Sequence, residues 1–326
     1  MIESKRLKYL SLIAAFISSC LFNTIKSQTI GLKTAEEFYA LFEEELKQPD
    51  PILVNAYKYI SSAYVLDSTN LKYINTMGEF LGIVNEFDEA IAVMDRSIEV
   101  DPNQWIPYNA KGTIYKNKRQ YSSAIVQYTY ALKWAKEDSI KVAVLVNRSS
   151  SKVRIQDFQS AFLDLKQAYT LDTMNKDLFL GLGNIYGHLG KMDSAMIFYN
   201  KSLSLDSTFG LAWLNVGFQL QSKGLYKESL TYFNRALVLD PTNGLSYSNR
   251  SFSLFKVGDY TGAMKDINKS IQLLPTNSWA YKNRAIYLLS KGEKNKACID
   301  LNKAILEGYT RSYGDEVNNL LDKHCK

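Results

Sequence analysis

Histidine and cysteine are scarce: the 326 residues include two histidines, His188 and His324, and three cysteines. That inventory builds neither a metal cluster nor a Ser-His-Asp set, so no catalytic residue, metal site or cofactor is assigned. Long apolar runs are also missing. The one candidate, Leu10 to Phe22, falls short of the roughly 20 apolar residues that a membrane-spanning helix needs. Charge of one sign is not concentrated either. The net charge is +6, and Lys5, Arg6, Lys8 and Lys26 against Glu3 account for half of it. The remainder is too scattered for a nucleic-acid face, which needs clustered cations, so no nucleic-acid partner is expected.

What the chain does have is a period. A small residue stands at Ala56, Ala90, Ala124, Ala161, Ala195, Ser229, Ala263 and Ala297, every 34 residues apart from one step of 37. With that residue set as position 20, position 8 is small in each full unit (Gly78, Gly112, Ser149, Gly183, Gly217, Ser251, Ala285). Position 4 is large, as in Ile74, Tyr108 and Trp213, and position 24 is large again, as in Met94, Tyr128 and Phe233. Position 27 is small. Positions 4, 7, 8 and 11 share one helix face, as do 20, 24 and 27. Small residues at 8 and 20 let two helices approach, and the large ones fill the sides. Turn signals such as Gly224-Leu225-Tyr226 separate the two helices, and Pro102, Pro241 and Pro275, three of only six prolines, stop the second. Most of the 22 tyrosines fall at core positions of this period and are read as packing.

This pattern resembles the tetratricopeptide repeat (TPR), most closely in residues 210–243, with Trp213, Gly217, Tyr226, Phe233, Ala236 and Pro241, and in 244–277. The resemblance covers about residues 37 to 307. It implies an all-α, right-handed α-solenoid of helix-turn-helix repeats, with no single closed core. The expected order is a signal segment 1–27, a linker 28–36 and a degenerate, capping repeat 37–70. Seven repeats follow over 71–307 (71–104, 105–138, 142–175, 176–209, 210–243, 244–277 and 278–307), then a C-terminal cap helix in 308–326, over Asp315 to Lys323. The three extra residues near Lys136 to Ile140 predict a longer loop or a longer second helix in the repeat before them.

The N-terminus reads as an export signal: cations, a short apolar core, then polar residues. Three fates stay open. Ile17-Ser18-Ser19-Cys20 resembles a lipobox with Cys20 as the lipidated residue, cleavage after Ser27 is the second, and an uncleaved anchor is the third. Each places the repeats outside the cytoplasm, in the periplasm, at the outer membrane or secreted. Membrane contact is expected only through the N-terminus, if Cys20 is lipidated or the signal stays. Cys298 and Cys325 then form either a disulfide, worth about 3 to 4 kcal/mol for that loop length, or two free thiols. A Cα separation well beyond about 7 Å would exclude the bond.

Position 7, apolar in the family, is Arg148, Arg250 and Arg284 in three repeats, and position 23 in the same three is Asp164, Asp266 and Asp300. Their joint arrival predicts three internal ion pairs, because either charge alone would be costly to bury. Asp266→Ala is therefore expected to destabilise more than Asp259→Ala. Asn147, Asn215, Asn249 and Asn283 hold position 6, which in the family lines the concave groove. An amide both donates and accepts, so stacked asparagines from Asn215 to Asn283 make a candidate ladder for gripping an extended peptide. The plainer reading is asparagine bonded within the helix pair.

Phe218, Phe252 and Trp279 on the same face have no core task in the period, and Lys282 adds a cation, so the C-terminal half is the expected binding surface. Only Lys282, Asn283 and Asn249 approximate the family's carboxylate-clamping set, so no such clamp is assigned. Gly181-Leu182-Gly183-Asn184-Ile185-Tyr186-Gly187 mimics a nucleotide loop but lies in helical register with no strand before it. The expected function is a non-enzymatic scaffold for a peptide or partner protein. The alternative is a structural subunit of an envelope assembly that docks through convex or edge surfaces.

Overall fold

The computed structural model describes residues 33–325, so the signal segment and Cys20 lie outside the described residues. Every regular element among the described residues is a helix, and none is long and apolar enough to cross a membrane. The helices form two compact units, one ending at Asp172 and the other starting at Thr173.

The first unit has four antiparallel hairpins: α1 (Ala35–Leu46) with α2 (Leu53–Leu66), α3 (Leu71–Ile83) with α4 (Phe87–Val100), α5 (Ile106–Asn117) with α6 (Tyr121–Trp134), and α7 (Asp138–Arg154) with α8 (Phe158–Leu171). The second unit has four more: α9 (Lys176–His188) with α10 (Met192–Leu205), α11 (Gly210–Ser222) with α12 (Tyr226–Leu239), α13 (Gly244–Lys256) with α14 (Tyr260–Leu273), and α15 (Ser278–Ser290) with α16 (Lys294–Leu306). A short helix α17 (Tyr309–Tyr313) and the cap helix α18 (Glu316–His324) follow.

The period explains the hairpins. All eight small residues at position 20, from Ala56 to Ala297, have no exposed surface. In repeat 210–243 the ring of Phe233 lies so close to Gly217 that a Cβ there would meet it at 2.6 Å, and Gly183 sits against Tyr199 in the same way. Burying a side chain of the size of Phe233 contributes about 2 to 3 kcal/mol. The turn between the two helices needs a left-handed residue at position 15. Gly190, Gly224, Gly258 and Gly292 supply it in the second unit, while Asn85, Arg119 and Gln156 adopt it in the first, with φ of 68°, 59° and 65°. First helices are capped by asparagine in several repeats: Asn175 accepts from the Leu178 amide, Asn243 from Ser246 and Asn277 from Ala280.

Two local expectations need correction, on the insertion and on the cap. The three-residue insertion makes neither a longer loop nor a longer second helix. Helix α6 ends at Trp134 with 14 residues, like its counterparts, and α7 starts early at Asp138 and runs for 17. Asp138 stabilises that extra turn from its N-terminal end and holds Lys141 at 2.9 Å. In residues 37–70, α1 and α2 form a full hairpin whose core includes Phe38, Phe42 and Ile60. The cap has two helices rather than one, because Gly308 and Gly314, both at φ 84°, break the chain on either side of α17. Asp259 caps α14 by accepting from the Gly262 amide at 2.8 Å.

Candidate peptide-binding groove

The predicted Arg–Asp residues are brought together as bidentate pairs. Arg148 donates from Nε and Nη2 to Asp164 at 2.9 and 2.7 Å, Arg250 to Asp266 at 2.6 and 2.8 Å, and Arg284 to Asp300 at 2.7 and 2.7 Å. The three aspartates are each 4% exposed. Bonding to aspartate raises the pKa of Arg250 and of Arg284 above the ordinary arginine value. Each arginine has a further partner that the period did not disclose. Its Nη1 donates to position 25 of the preceding repeat: to Thr129 at 2.9 Å, Asn234 at 2.8 Å and Asn268 at 2.8 Å. Lys111 uses the same link, to Asp95. These residues therefore tie successive hairpins together.

The position-6 asparagines do not form a continuous ladder. Asn147 accepts from Lys116 Nζ at 2.9 Å, and Asn215 donates to Asn184 at 2.8 Å, so these two are engaged within the fold. Asn249 is half-buried, and its backbone carbonyl accepts from Gln221 Nε2 at 2.8 Å. Asn283 differs: it is fully buried, and neither its Oδ1 nor its Nδ2 has a hydrogen-bond partner.

Asn283 lines a pocket of about 280 Å³ with Phe252, Phe255, Lys256, Trp279, Lys282, Ile286, Tyr287 and Glu316. The pocket walls are pre-organised. Phe255 stacks on Tyr287 with centroids 4.3 Å apart, and Phe252 meets Tyr226 edge-on at 6.0 Å. Trp279, expected to be without a packing task, stacks on Tyr309 at 5.9 Å and touches Tyr313. Lys282 is buried, with its ammonium 3.9 Å above the Trp279 ring. Burial pushes the Lys282 pKa down; the Glu316 carboxylate at 3.3 Å opposes this, and Lys256 adds to it. Glu316 also accepts from the Tyr309 hydroxyl at 2.7 Å. Farther along the same helix faces, Phe218, Leu211 and Leu245 are each nearly half exposed. A larger depression, about 630 Å³ beside the α1–α2 turn, is lined by Glu44, Glu45 and Asp50 and contains no buried unpartnered polar group.

Glu316 and Tyr309 escaped the sequence reading because they follow the last repeat, where the period ends. Cys298 and Cys325 are joined by a disulfide, with Cα atoms 5.8 Å apart, which fixes the end of α18 to α16. The nucleotide-loop mimic lies inside α9. Among the described residues no group of three or more His, Cys, Asp or Glu side chains is placed to hold a metal ion.

A sequence model of the tetratricopeptide repeat family matches residues 177–209, the α9–α10 hairpin and its flanks. No curated protein matches the chain. Among solved structures, a chain of the APC/C hetero-tetramer Cut9-Hcn1 is similar at TM-score 0.67 and 15% identity, over 89% of this chain. This chain spans just over half of that one, 55%. A tetratricopeptide repeat protein from Parabacteroides merdae is similar at TM-score 0.56 and 20% identity, over 90% of this chain and 99% of the other. PilF of Pseudomonas aeruginosa is similar at TM-score 0.53 and 18% identity, over 67% and 98%. The fold is that of the tetratricopeptide solenoids, and the tetratricopeptide repeat family model is matched over the single hairpin 177–209.

Proposed function

We propose that this protein is a non-enzymatic scaffold that holds an extended peptide segment, or a partner protein through such a segment, along the face built by α11, α13 and α15. One observation carries the reading. Asn283 is buried with both ends of its amide unpartnered, among the residues that line an aromatic pocket. A buried donor or acceptor left unmade costs about 1 to 3 kcal/mol, and a ligand backbone is the natural group to satisfy it. The exposed Phe218, Leu211 and Leu245 extend the surface along the same side. The Cut9-Hcn1 assembly is itself a complex of a structurally similar chain with a partner protein.

The setting we propose is outside the cytoplasm, in the envelope or secreted. The charged and then apolar N-terminus supports it, as does the disulfide at the C-terminal cap, since such bonds persist in oxidising compartments. No reaction chemistry is proposed, and membrane contact is assigned only to the N-terminus, through a lipidated Cys20 or a retained signal.

A second reading has its own observation. Position 22, on the second helix of the hairpin, is an exposed aliphatic at Val126 and Leu163 in the first unit and at Ile197 and Ile299 in the second, each at least half exposed. Such residues suit docking through the outer surface. A pull-down comparing Asn249→Ala with Phe252→Ala against Ile197→Asp with Ile299→Asp separates the two. The groove reading expects loss of the partner only with the first pair. Full-strength binding by that pair would sink it.

A further inference from the structure

We propose that the outer face of the second unit docks on an anionic lipid surface, through one stripe on each of α10, α12, α14 and α16. The proposal goes beyond the groove reading and the N-terminal contact, and depends on neither.

The stripe follows from the period. Positions 20, 24 and 27 of these four helices are buried. Positions 22, 26 and 29 lie two residues further on, about 200° round the helix, so they face away from the core. Position 26 is a cation in all four helices: Lys201, Arg235, Lys269 and Lys303. Lys265, at position 22, adds a fifth. Four more stripe positions are aliphatic and stand out from the surface, with Ile197 56%, Val238 72%, Ile299 69% and Leu306 78% exposed. Neither aspartate nor glutamate occurs at positions 22, 26 and 29 of these helices. Successive hairpins keep one register, because Arg250 reaches Asn234 and Arg284 reaches Asn268, each asparagine standing next to the position-26 cation.

The fold uses its carboxylates elsewhere. Asp266 and Asp300 are buried in arginine pairs, and Asp259 caps α14. Asp206 and Asp240 accept from Thr208 and Thr242 in the turns, and Lys223 holds Asp193 at 2.8 Å. On the stripe, Lys303 reaches Glu307 at 2.5 Å. Among the described residues Lys201, Arg235, Lys265 and Lys269 form no ion pair. Protein surfaces ordinarily intersperse both signs. The first unit does so on the same stripe: Arg96 meets Glu99 at 3.0 Å, and position 26 is Tyr130 and then Gln167 in the next two hairpins.

The chemistry of the stripe selects the occupant. Protein interfaces favour aromatic and arginine anchors and are depleted in lysine. Here lysine outnumbers arginine four to one, and the apolar members are aliphatic. Lysine lays its stem along apolar groups while its ammonium stays among polar ones, which suits a lipid headgroup layer with aliphatic residues seated beneath it. No described helix is long and apolar enough to cross a membrane, so the contact proposed is peripheral.

The test is co-sedimentation of the full-length chain with sucrose-loaded vesicles in about 0.1 M salt. The vesicles are phosphatidylcholine alone or an equal mixture with phosphatidylglycerol, and the readout is the lipid concentration for half-binding. The N-terminal segment is the same in every form, so differences between forms report the array. One cation near an anionic surface is worth about fivefold in affinity. Lys201→Gln with Arg235→Gln and Lys269→Gln should therefore raise the half-point on the mixed vesicles about 100-fold and leave that on phosphatidylcholine unchanged. Lys191→Gln with Lys291→Gln and Lys323→Gln removes the same charge away from the stripe, and should raise it by less than about fivefold. Ile299→Ser with Leu306→Ser should raise it about tenfold. Salt at about 1 M should erase the effect of the cations.

Equal half-points of the two triple variants on the mixed vesicles would overturn the proposal. So would vesicle binding untouched by the stripe triple while its retention on immobilised polyglutamate falls, since the stripe would then serve an acidic protein.

Discussion

Replacing Asp266 with alanine puts the packing account at risk in a measurable way. Asp266 is 4% exposed and accepts two bonds from Arg250, at 2.6 and 2.8 Å. Its removal leaves the Nε and Nη2 donors of Arg250 facing an emptied, largely buried site. Breaking a buried pair from one side typically costs about 3 to 5 kcal/mol. Two features reduce that here. The Arg250 side chain is 23% exposed, so water reaches part of it, and its Nη1 keeps Asn234 at 2.8 Å. The expected loss is about 2 to 4 kcal/mol. Asp259→Ala, at the N-cap of the same helix, removes a cap bond to Gly262 and should cost about 1 kcal/mol. Replacing both partners, as Arg250→Met with Asp266→Leu, should recover most of the loss, because no stranded charge remains. A repeat array need not unfold in one step, so the assay is urea denaturation combined with hydrogen exchange over α13 and α14. Equal stabilities of Asp266→Ala and Asp259→Ala, or a double variant as weak as Asp266→Ala, would refute the reasoning.

Arg119→Gly should stabilise the first unit by about 0.5 to 1 kcal/mol, since the φ of 59° costs arginine about 1 to 2 kcal/mol and glycine's entropy returns part of it. A fall in the urea midpoint would count against this. Gly217→Ala should cost about 1 to 3 kcal/mol, because the new methyl would press on the Phe233 ring; thermal unfolding is the readout. Alkaline pH should weaken the fold. Burial holds the Tyr128 phenol near pKa 12, and its bond to Glu36 holds Tyr73 there, both above the unfolded value of about 10. Stability from these groups is complete below about pH 10 and lost as the pH rises toward 12. Tyrosinate absorbance that appears without loss of helix below pH 11 at Tyr128 would contradict this.

The hairpins were legible because two helix faces repeat every 34 residues, and a repeat of that length admits few architectures. The Arg–Asp pairing was legible because both residues change together, as in Arg250 with Asp266. Its third member was not: Asn234 and Asn268 look like the surface-facing Asn200 in sequence, and only stacking of the next hairpin sets them apart. The insertion was misplaced because three residues fit a loop or either helix equally well on the page, and Asp138 settled it by starting a helix. At the groove, four asparagines share position 6, but neighbours that the period does not fix decide their roles. Lys116 and Asn184 engage two of them, and Asn283 is buried without a partner. Glu316 lies past the end of the pattern, so its place over Lys282 depends on how α17 and α18 fold back.

The central claim is that a partner lies against the first-helix face of the C-terminal repeats. Site-specific photo-crosslinking in the cells that make the protein tests it most directly, with benzoylphenylalanine placed at Phe252 or, on the outer face, at Ile197. The account predicts one discrete adduct from position 252, absent from position 197 and diminished when Asn283→Ala is added. An adduct from position 197 with none from 252 would contradict it.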